Sequence, residues 1–205
     1  DETTAKFSQL LPLKEETLYL KWNVTVGATG EAVAAQNARG VGCMIKMLLP
    51  KKNERSDDLK ERAKELFEKE RDVWNVMGYP NVHVRDLRRR PVLIMPRAWP
   101  CELEDWKHDL HGVRARTDDW LERCVDAGWT HGDVALRHVG FVPKVPSGVD
   151  FDWDYRSASE SDVDVVLFDF DRAERIRDTK RTRSSCLEEM KEALNADVER
   201  RSALP

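Results

Sequence analysis

Gly128-Trp129-Thr130-His131-Gly132-Asp133 and, further along, Val165-Val166-Leu167-Phe168-Asp169-Phe170-Asp171 are the stretches on which the fold of this chain turns. The first closes a helical pattern at Gly128 and precedes the short apolar stretch Val134 to Val145. The second is an apolar strand that runs into acid, and a carboxylate at the end of a buried strand has no packing reason to be there. Asp169 and Asp171 stand one residue apart, so one carboxylate can ligate a divalent cation while Phe170 points back into the core. Asp133, on a turn, has the chemistry to orient or deprotonate a hydroxyl.

Upstream, Thr17 to Thr25 is rich in β-forming residues, Gly27 and Gly30 mark a turn, and Ala32 to Leu49 carries two more apolar stretches around Asn37 to Gly40. This pattern predicts three antiparallel strands ended by Pro50. From Asp57 to Met77 the period becomes helical, with Leu59, Ala63, Leu66, Phe67, Val73, Trp74 and Met77 on one side and Ser56 or Asp57 as the cap. Val82 to Val84 and Pro91 to Met95 read as two further strands around the charged turn Arg85 to Arg90. Pro96 to Pro100 breaks the pattern. A second helix is expected over Asp118 to Ala127, with Trp120, Leu121, Cys124 and Val125 inward. Pro146 to Asp162 reads as a mobile acidic loop, and Ser184 to Val198 as a last amphipathic helix with Leu187, Met190, Leu194 and Val198 inward.

The chain has 205 residues, 40% hydrophobic and 35% charged with seven Trp, enough to bury a sizeable core. No apolar run approaches the length of a membrane span, since charges such as Lys46 within Val41 to Leu49 interrupt each candidate. A net charge of −4 gives no support to a general polyelectrolyte attraction to nucleic acid. Cys43, Cys101, Cys124 and Cys186 are scattered and form no C-x-x-C, which points to free thiols in a reducing, intracellular and cytoplasmic setting rather than to a zinc cluster or disulfide framework. Because the chain begins at Asp1, an export signal removed upstream stays open.

In order and spacing these motifs resemble those of the protein-kinase-like superfamily, including its small fungal-type members and the aminoglycoside and choline phosphotransferases. His131-Gly132-Asp133 matches the catalytic-loop His-Arg-Asp, written His-Gly-Asp in the small-molecule relatives, and Asp169-Phe170-Asp171 stands where those families have Asp-Phe-Gly. The resemblance implies an α+β fold: a compact two-lobed protein-kinase-like architecture with a five-stranded antiparallel N-lobe over residues 1–95, a hinge at 96–100, and a reduced helical C-lobe over 101–205. It implies Asp133 as catalytic base, Asp169 as ligand of Mg²⁺ or Mn²⁺, and Lys46, in Met44-Ile45-Lys46, as the cation for the ATP phosphates. Glu70 falls where the lysine's ion-pair partner is expected. Gly27 and Gly30 match two glycines of a phosphate loop, and Pro96 and Ala98 offer a carbonyl and an N–H to adenine.

The implied activity is transfer of the γ-phosphoryl group of ATP to a hydroxyl of an unknown protein or small molecule, without membrane or nucleic-acid partners. The alternative is a catalytically impaired pseudokinase serving as a nucleotide-binding or interaction module. Two departures motivate it: His138 stands in place of the asparagine that helps hold the second metal, and Asp171 replaces the motif glycine. His138 is open between packing and metal ligation. Lys46 has a structural reading as a snorkelling strand residue, Glu70 competes with Glu61, Glu65 and Glu68 on its helix, and a glycine pair alone marks a hairpin. The arginines of Arg85 to Arg90 and Arg172 to Arg183 carry a third reading, a nucleic-acid contact. His131 reads as a structural prop of the turn.

Overall fold

The β-forming stretches at the start become β1 (Leu18–Val26), β2 (Gly30–Asn37) and β3 (Gly42–Leu48), joined antiparallel in sequence order. The computed structural model describes residues 17–26, 30–37, 41–144, 153–178 and 181–204. After β3 comes α1 (Ser56–Val76), then β4 (His83–Leu87) and β5 (Arg90–Pro96), and β5 pairs with β3 to give a five-stranded antiparallel sheet in the order β1-β2-β3-β5-β4. The first half is therefore three strands, a helix and two strands, as its pattern predicts.

α1 packs on β3, β4 and β5 through Ala63, Phe67, Glu70, Val73 and Trp74, a face with helical spacing. Its expected cap is not made. Arg55 is the N-cap residue, without a side-chain cap, and Asp57 and Asp58 act in the first turn, where their charge faces the positive end of the helix dipole. The β4–β5 turn puts Arg88 and Arg89 at φ of 49° and 66°, the geometry of a two-residue hairpin turn whose twist matches its strands.

By packing, the described residues form two units: one reaches Arg97 and takes in Trp153, the other comprises Ala98 to Lys144 and the residues from Asp154 on. The second unit contains β6 (Trp99–Pro100), α2 (Leu103–Lys107), α3 (Val113–Asp126), β7 (Trp129–Thr130), β8 (Val139–Pro143), β9 (Val163–Leu167), β10 (Glu174–Arg175) and α4 (Arg183–Ser202). β6, β8 and β9 form one antiparallel sheet, and β7 pairs with β10. α3 lies on β9 and α4. It begins earlier than the pattern suggests, because Gly112 at φ 64° turns the chain straight into it. Its stripe is as expected: Trp120, Leu121, Cys124 and Val125 are buried, and Trp120 stacks on Phe170 at 5.5 Å.

Of the segment expected as a mobile loop, residues 146–152 lie outside the described residues, and from Asp154 onward the chain is anchored. Tyr155 is buried on Phe141, its hydroxyl donates to Asp105 at 2.8 Å, and Arg156 pairs with both Asp105 and Glu102. Burial works against ionisation of Asp105, but the hydrogen bonds from Arg156, Glu102 N–H and Tyr155 prevail and hold its carboxyl below the usual range. None of the four cysteines forms a disulfide, and all four are buried. Burial pushes the Cys101 and Cys124 thiols up to about 12, so neither offers a thiolate at neutral pH.

Candidate active site

In the first unit, β3 and α1 bring together an ammonium and a carboxylate from 24 positions apart: Lys46 Nζ lies 2.8 Å from Glu70 Oε2. Lys46 sits at the centre of β3, opposite Leu93 of β5, and Glu70 shares the buried face of α1 with Phe67 and Trp74. Among the acids of α1, Glu70 is the one buried; Glu61 and Glu65 are exposed and Glu68 is partly so. A Cβ at Gly30 would run into the carbonyl oxygen of Met47, so the close approach of β3 explains that glycine by itself. Gly27 lies outside the described residues. Pro96 ends β5 opposite Cys43, and Ala98, partly exposed, begins the second unit next to Trp99.

In the second unit the antiparallel pairing of β8 and β9 does the positioning. Val139 faces Leu167, and the ladder extends one step further, with Phe168 N–H donating to the His138 carbonyl at 2.9 Å. His138, just before β8, and Asp169, just after β9, thereby become neighbours: His138 Nε2 is 3.5 Å from Asp169 Oδ2. The same turn carries Asp133, whose backbone carbonyl accepts from His138 Nδ1 at 2.7 Å. Asp133 Oδ2 is bound by Arg137 at 3.0 Å and approached by Arg172 at 4.0 Å, leaving the side chain 27% exposed.

The glycine of this turn is required. Gly132 has φ 76°, and a Cβ there would collide with the carbonyl oxygen of Arg172. Asp169 also takes a left-handed backbone, φ 68° and ψ 64°, which aspartate tolerates better than most residues. Asp171, by contrast, lies in a 3₁₀ turn, Phe170–Arg172, where an ordinary L-residue fits and no glycine is needed.

His131 is a prop. Its Nε2 donates to the Phe168 carbonyl at 3.0 Å, its ring lies 4.8 Å from Phe170 and stacks with His138 at 5.8 Å, and its backbone N–H meets Met190 Sδ. Burial, and next the neighbouring His138, push its pKa down to about 4, so the ring is neutral at physiological pH. Its Nδ1 is buried without a hydrogen-bond partner.

Two participants escape the sequence reading. Asp197 on α4 accepts the backbone N–H of Leu136 at 3.0 Å and binds Arg200 and Arg201, tying the turn between Asp133 and His138 to the last helix. Burial raises its pKa, but the Leu136 N–H and the two arginines outweigh that and hold it below the usual range. The signal was there: Met190, Leu194 and Asp197 follow helical spacing, and the structure buries Asp197 where the pattern favours Val198. The second is Arg137, spaced four residues from the acid it holds. Of the arginines read as a nucleic-acid contact, Arg88, Arg89 and Arg90 are exposed, Arg181 pairs with Glu174 and Glu189, and Arg175 covers the Trp129 ring at 3.9 Å.

Among the described residues, no group of three or more His, Cys, Asp and Glu side chains forms a metal cluster, and no helix is long and apolar enough to cross a membrane.

The sequence profile of a family of unknown function, DUF5898, matches residues 23–142. No curated protein sequence matches the chain. Among solved structures it is similar to the Rio2 kinase of Chaetomium thermophilum, with a TM-score of 0.62 at 13% identity over 94% of this chain and 61% of that one. It is also similar to the Rio2 kinase-ADP/Mg²⁺-phosphoaspartate complex from the same organism, with a TM-score of 0.60 at 12% identity over 93% of this chain and 58% of that one. The chain thus has a protein-kinase-like fold and spans about 60% of the length of these two structures.

Proposed function

We propose that this chain, which belongs to the family of unknown function DUF5898, is a kinase-like phosphotransferase that moves the γ-phosphoryl group of metal-bound ATP to a hydroxyl of a protein or small molecule. The observation that carries the reading is the buried Lys46–Glu70 ion pair in a protein-kinase-like fold. Desolvating two charges offsets most of their attraction, so such a pair is poorly explained by stability alone and well explained by a cation that must be held ready for an anion. A protein of the same fold forms a complex with ADP and Mg²⁺, which supports nucleotide and a divalent cation as ligands here.

In this reading residues 1–95 are the N-lobe, 96–100 the hinge and 101–205 the C-lobe. Lys46 holds the α- and β-phosphates, with Glu70 fixing its direction. Backbone groups at Gly27 and Gly30 accommodate the phosphate chain, and Pro96 and Ala98 supply an acceptor and a donor to adenine. Asp169 and His138 fit a divalent cation. The Asp133 carbonyl can only accept, so Nδ1 of His138 carries the proton, and in the neutral ring the Nε2 lone pair is turned to the Asp169 carboxylate. When bound, the cation neutralises phosphate charge.

Asp133 accepts the proton of the acceptor hydroxyl as that oxygen bonds to the γ-phosphorus, the bond to the β-bridging oxygen breaks, and ADP leaves. Arg137 and Arg172 fix the Asp133 carboxylate and keep positive charge beside it. The departures at His138 and Asp171 remove none of these groups, since His138 keeps a lone pair at the cation position and Asp171 occupies a turn that does not need glycine.

The test is transfer of labelled γ-phosphate by the purified chain, to itself or to added proteins and small hydroxyl acceptors. Asp133→Asn and Asp169→Ala are each expected to reduce transfer by roughly a hundredfold or more with the fold intact. Transfer that survives unchanged in both variants would remove the assignment.

A further inference from the structure

We infer that His138 makes the proposed cation position selective for a divalent transition-metal ion such as Mn²⁺ over Mg²⁺, an inference that rests on the phosphotransferase reading. The imidazole is presented as a metal-ligating histidine is. Its Nδ1 proton is committed to the Asp133 carbonyl at 2.7 Å, and its ring is held by His131 at 5.8 Å and 18° and by the edge of Phe168 at 6.1 Å. An N–H bonded to a backbone carbonyl fixes the tautomer and raises the basicity of the opposite nitrogen, the usual second-shell arrangement of metal-bound histidines.

That opposite nitrogen faces Asp169 Oδ2 at 3.5 Å. In the neutral ring these are two lone-pair-bearing atoms turned toward one place, the geometry in which both can ligate one cation. A carboxylate with an imidazole is a mixed oxygen and nitrogen donor set. Mg²⁺ prefers oxygen donors and holds its waters tightly, whereas Mn²⁺ and its first-row neighbours accept imidazole nitrogen. An asparagine at this place would offer only an amide oxygen, which has no such preference. His138 is buried, so selectivity would be built into the turn and not left to a mobile surface group.

The experiment uses the 205-residue chain with ADP and no acceptor, so that no catalytic turnover enters the readout. Mn²⁺ binding is followed by electron paramagnetic resonance, and Mg²⁺ by its competition with Mn²⁺. The ratio of Mg²⁺ to Mn²⁺ dissociation constants is compared between the parent and His138→Asn. It is expected to fall by roughly tenfold or more in the variant, the least that disturbing even a supporting group costs a metal site. Electron spin-echo spectroscopy of the parent, with ¹⁵N-labelled histidine, is expected to show a histidine nitrogen coupled to Mn²⁺, a readout that does not require His138→Asn to fold.

An unchanged ratio together with no histidine coupling, while Mn²⁺ and ADP still bind, would overturn the inference and leave the phosphotransferase reading standing. Failure of the parent to bind ADP with either ion would overturn both.

Discussion

Lys46 and Glu70 meet as a buried pair inside the first unit, 2.8 Å apart with side chains 9% and 0% exposed, while Asp133 and Asp169 of the second unit lie on turns at 27% and 36% exposure. The first arrangement is fixed by two regular elements, a central strand and a long helix, and each charge is taken from water by the packing of its own element. The second is fixed by hydrogen bonds between backbone and imidazole, and its carboxylates keep access to solvent. Rigid placement of one cation and open presentation of acids are different tasks. The chain meets the first with burial and the second with loop chemistry.

The largest stability effect should come from breaking the buried pair. Lys46→Met leaves Glu70 buried without its ammonium and is expected to cost about 3 to 5 kcal/mol in urea unfolding. Replacing both, Lys46→Met with Glu70→Leu, should recover most of that, because the carboxylate leaves with its partner. A single variant that costs less than about 1 kcal/mol would mean that the burial contrast between the two clusters carries no energetic weight.

The second cluster should instead reveal itself through pH. His131 titrates near 6.5 when unfolded and about 4 when folded. The neutral ring is the form the fold prefers, so its contribution is complete above pH 6.5 and is lost as pH falls through 4, roughly 3 kcal/mol in all. Melting temperatures of the parent and His131→Gln, measured between pH 7 and pH 4, should converge on acidification. Parallel curves would show that His131 is not held neutral.

Asp197 tests how the open turn is supported. Asp197→Ala leaves the Leu136 N–H without its acceptor and should cost about 1 to 3 kcal/mol, with faster hydrogen exchange at that amide. The smallest effect belongs to exposed ion pairs such as Lys60–Asp57, whose removal should change stability by no more than about 0.5 kcal/mol in the same unfolding assay.

What the sequence made legible follows the same division. The order of strands and the long helix in the first half come from periodicity, because a period of two or of 3.6 decides which side chains share a face, whereas Lys46 and Glu70 stand out within those elements only through the family resemblance. The start of α3 was misplaced because a left-handed Gly112, not a polar cap, begins it. The anchoring of Tyr155 and Arg156 on Asp105 was invisible, since it joins residues about fifty positions apart through a carboxylate that periodicity treats as surface. Asp197 was hidden for a related reason: an acid on the apolar side of a helix reads as an interruption until the backbone N–H it serves is known. The departure at Asp171 is visible only by motif comparison, and the structure speaks to its backbone part: the positive φ belongs to Asp169, so position 171 does not need glycine.

The most direct measurement of the phosphotransferase account is the melting temperature of the chain with and without ATP and Mg²⁺ or Mn²⁺, in the parent and in Asp169→Ala. A ligand at a hundred times its dissociation constant stabilises the native state by about 2.7 kcal/mol, a shift of a few degrees for a protein of this size. A metal-dependent rise is expected in the parent, and Asp169→Ala is expected to abolish it. A parent whose melting point ignores nucleotide and metal together, at saturating concentrations of both, would contradict it.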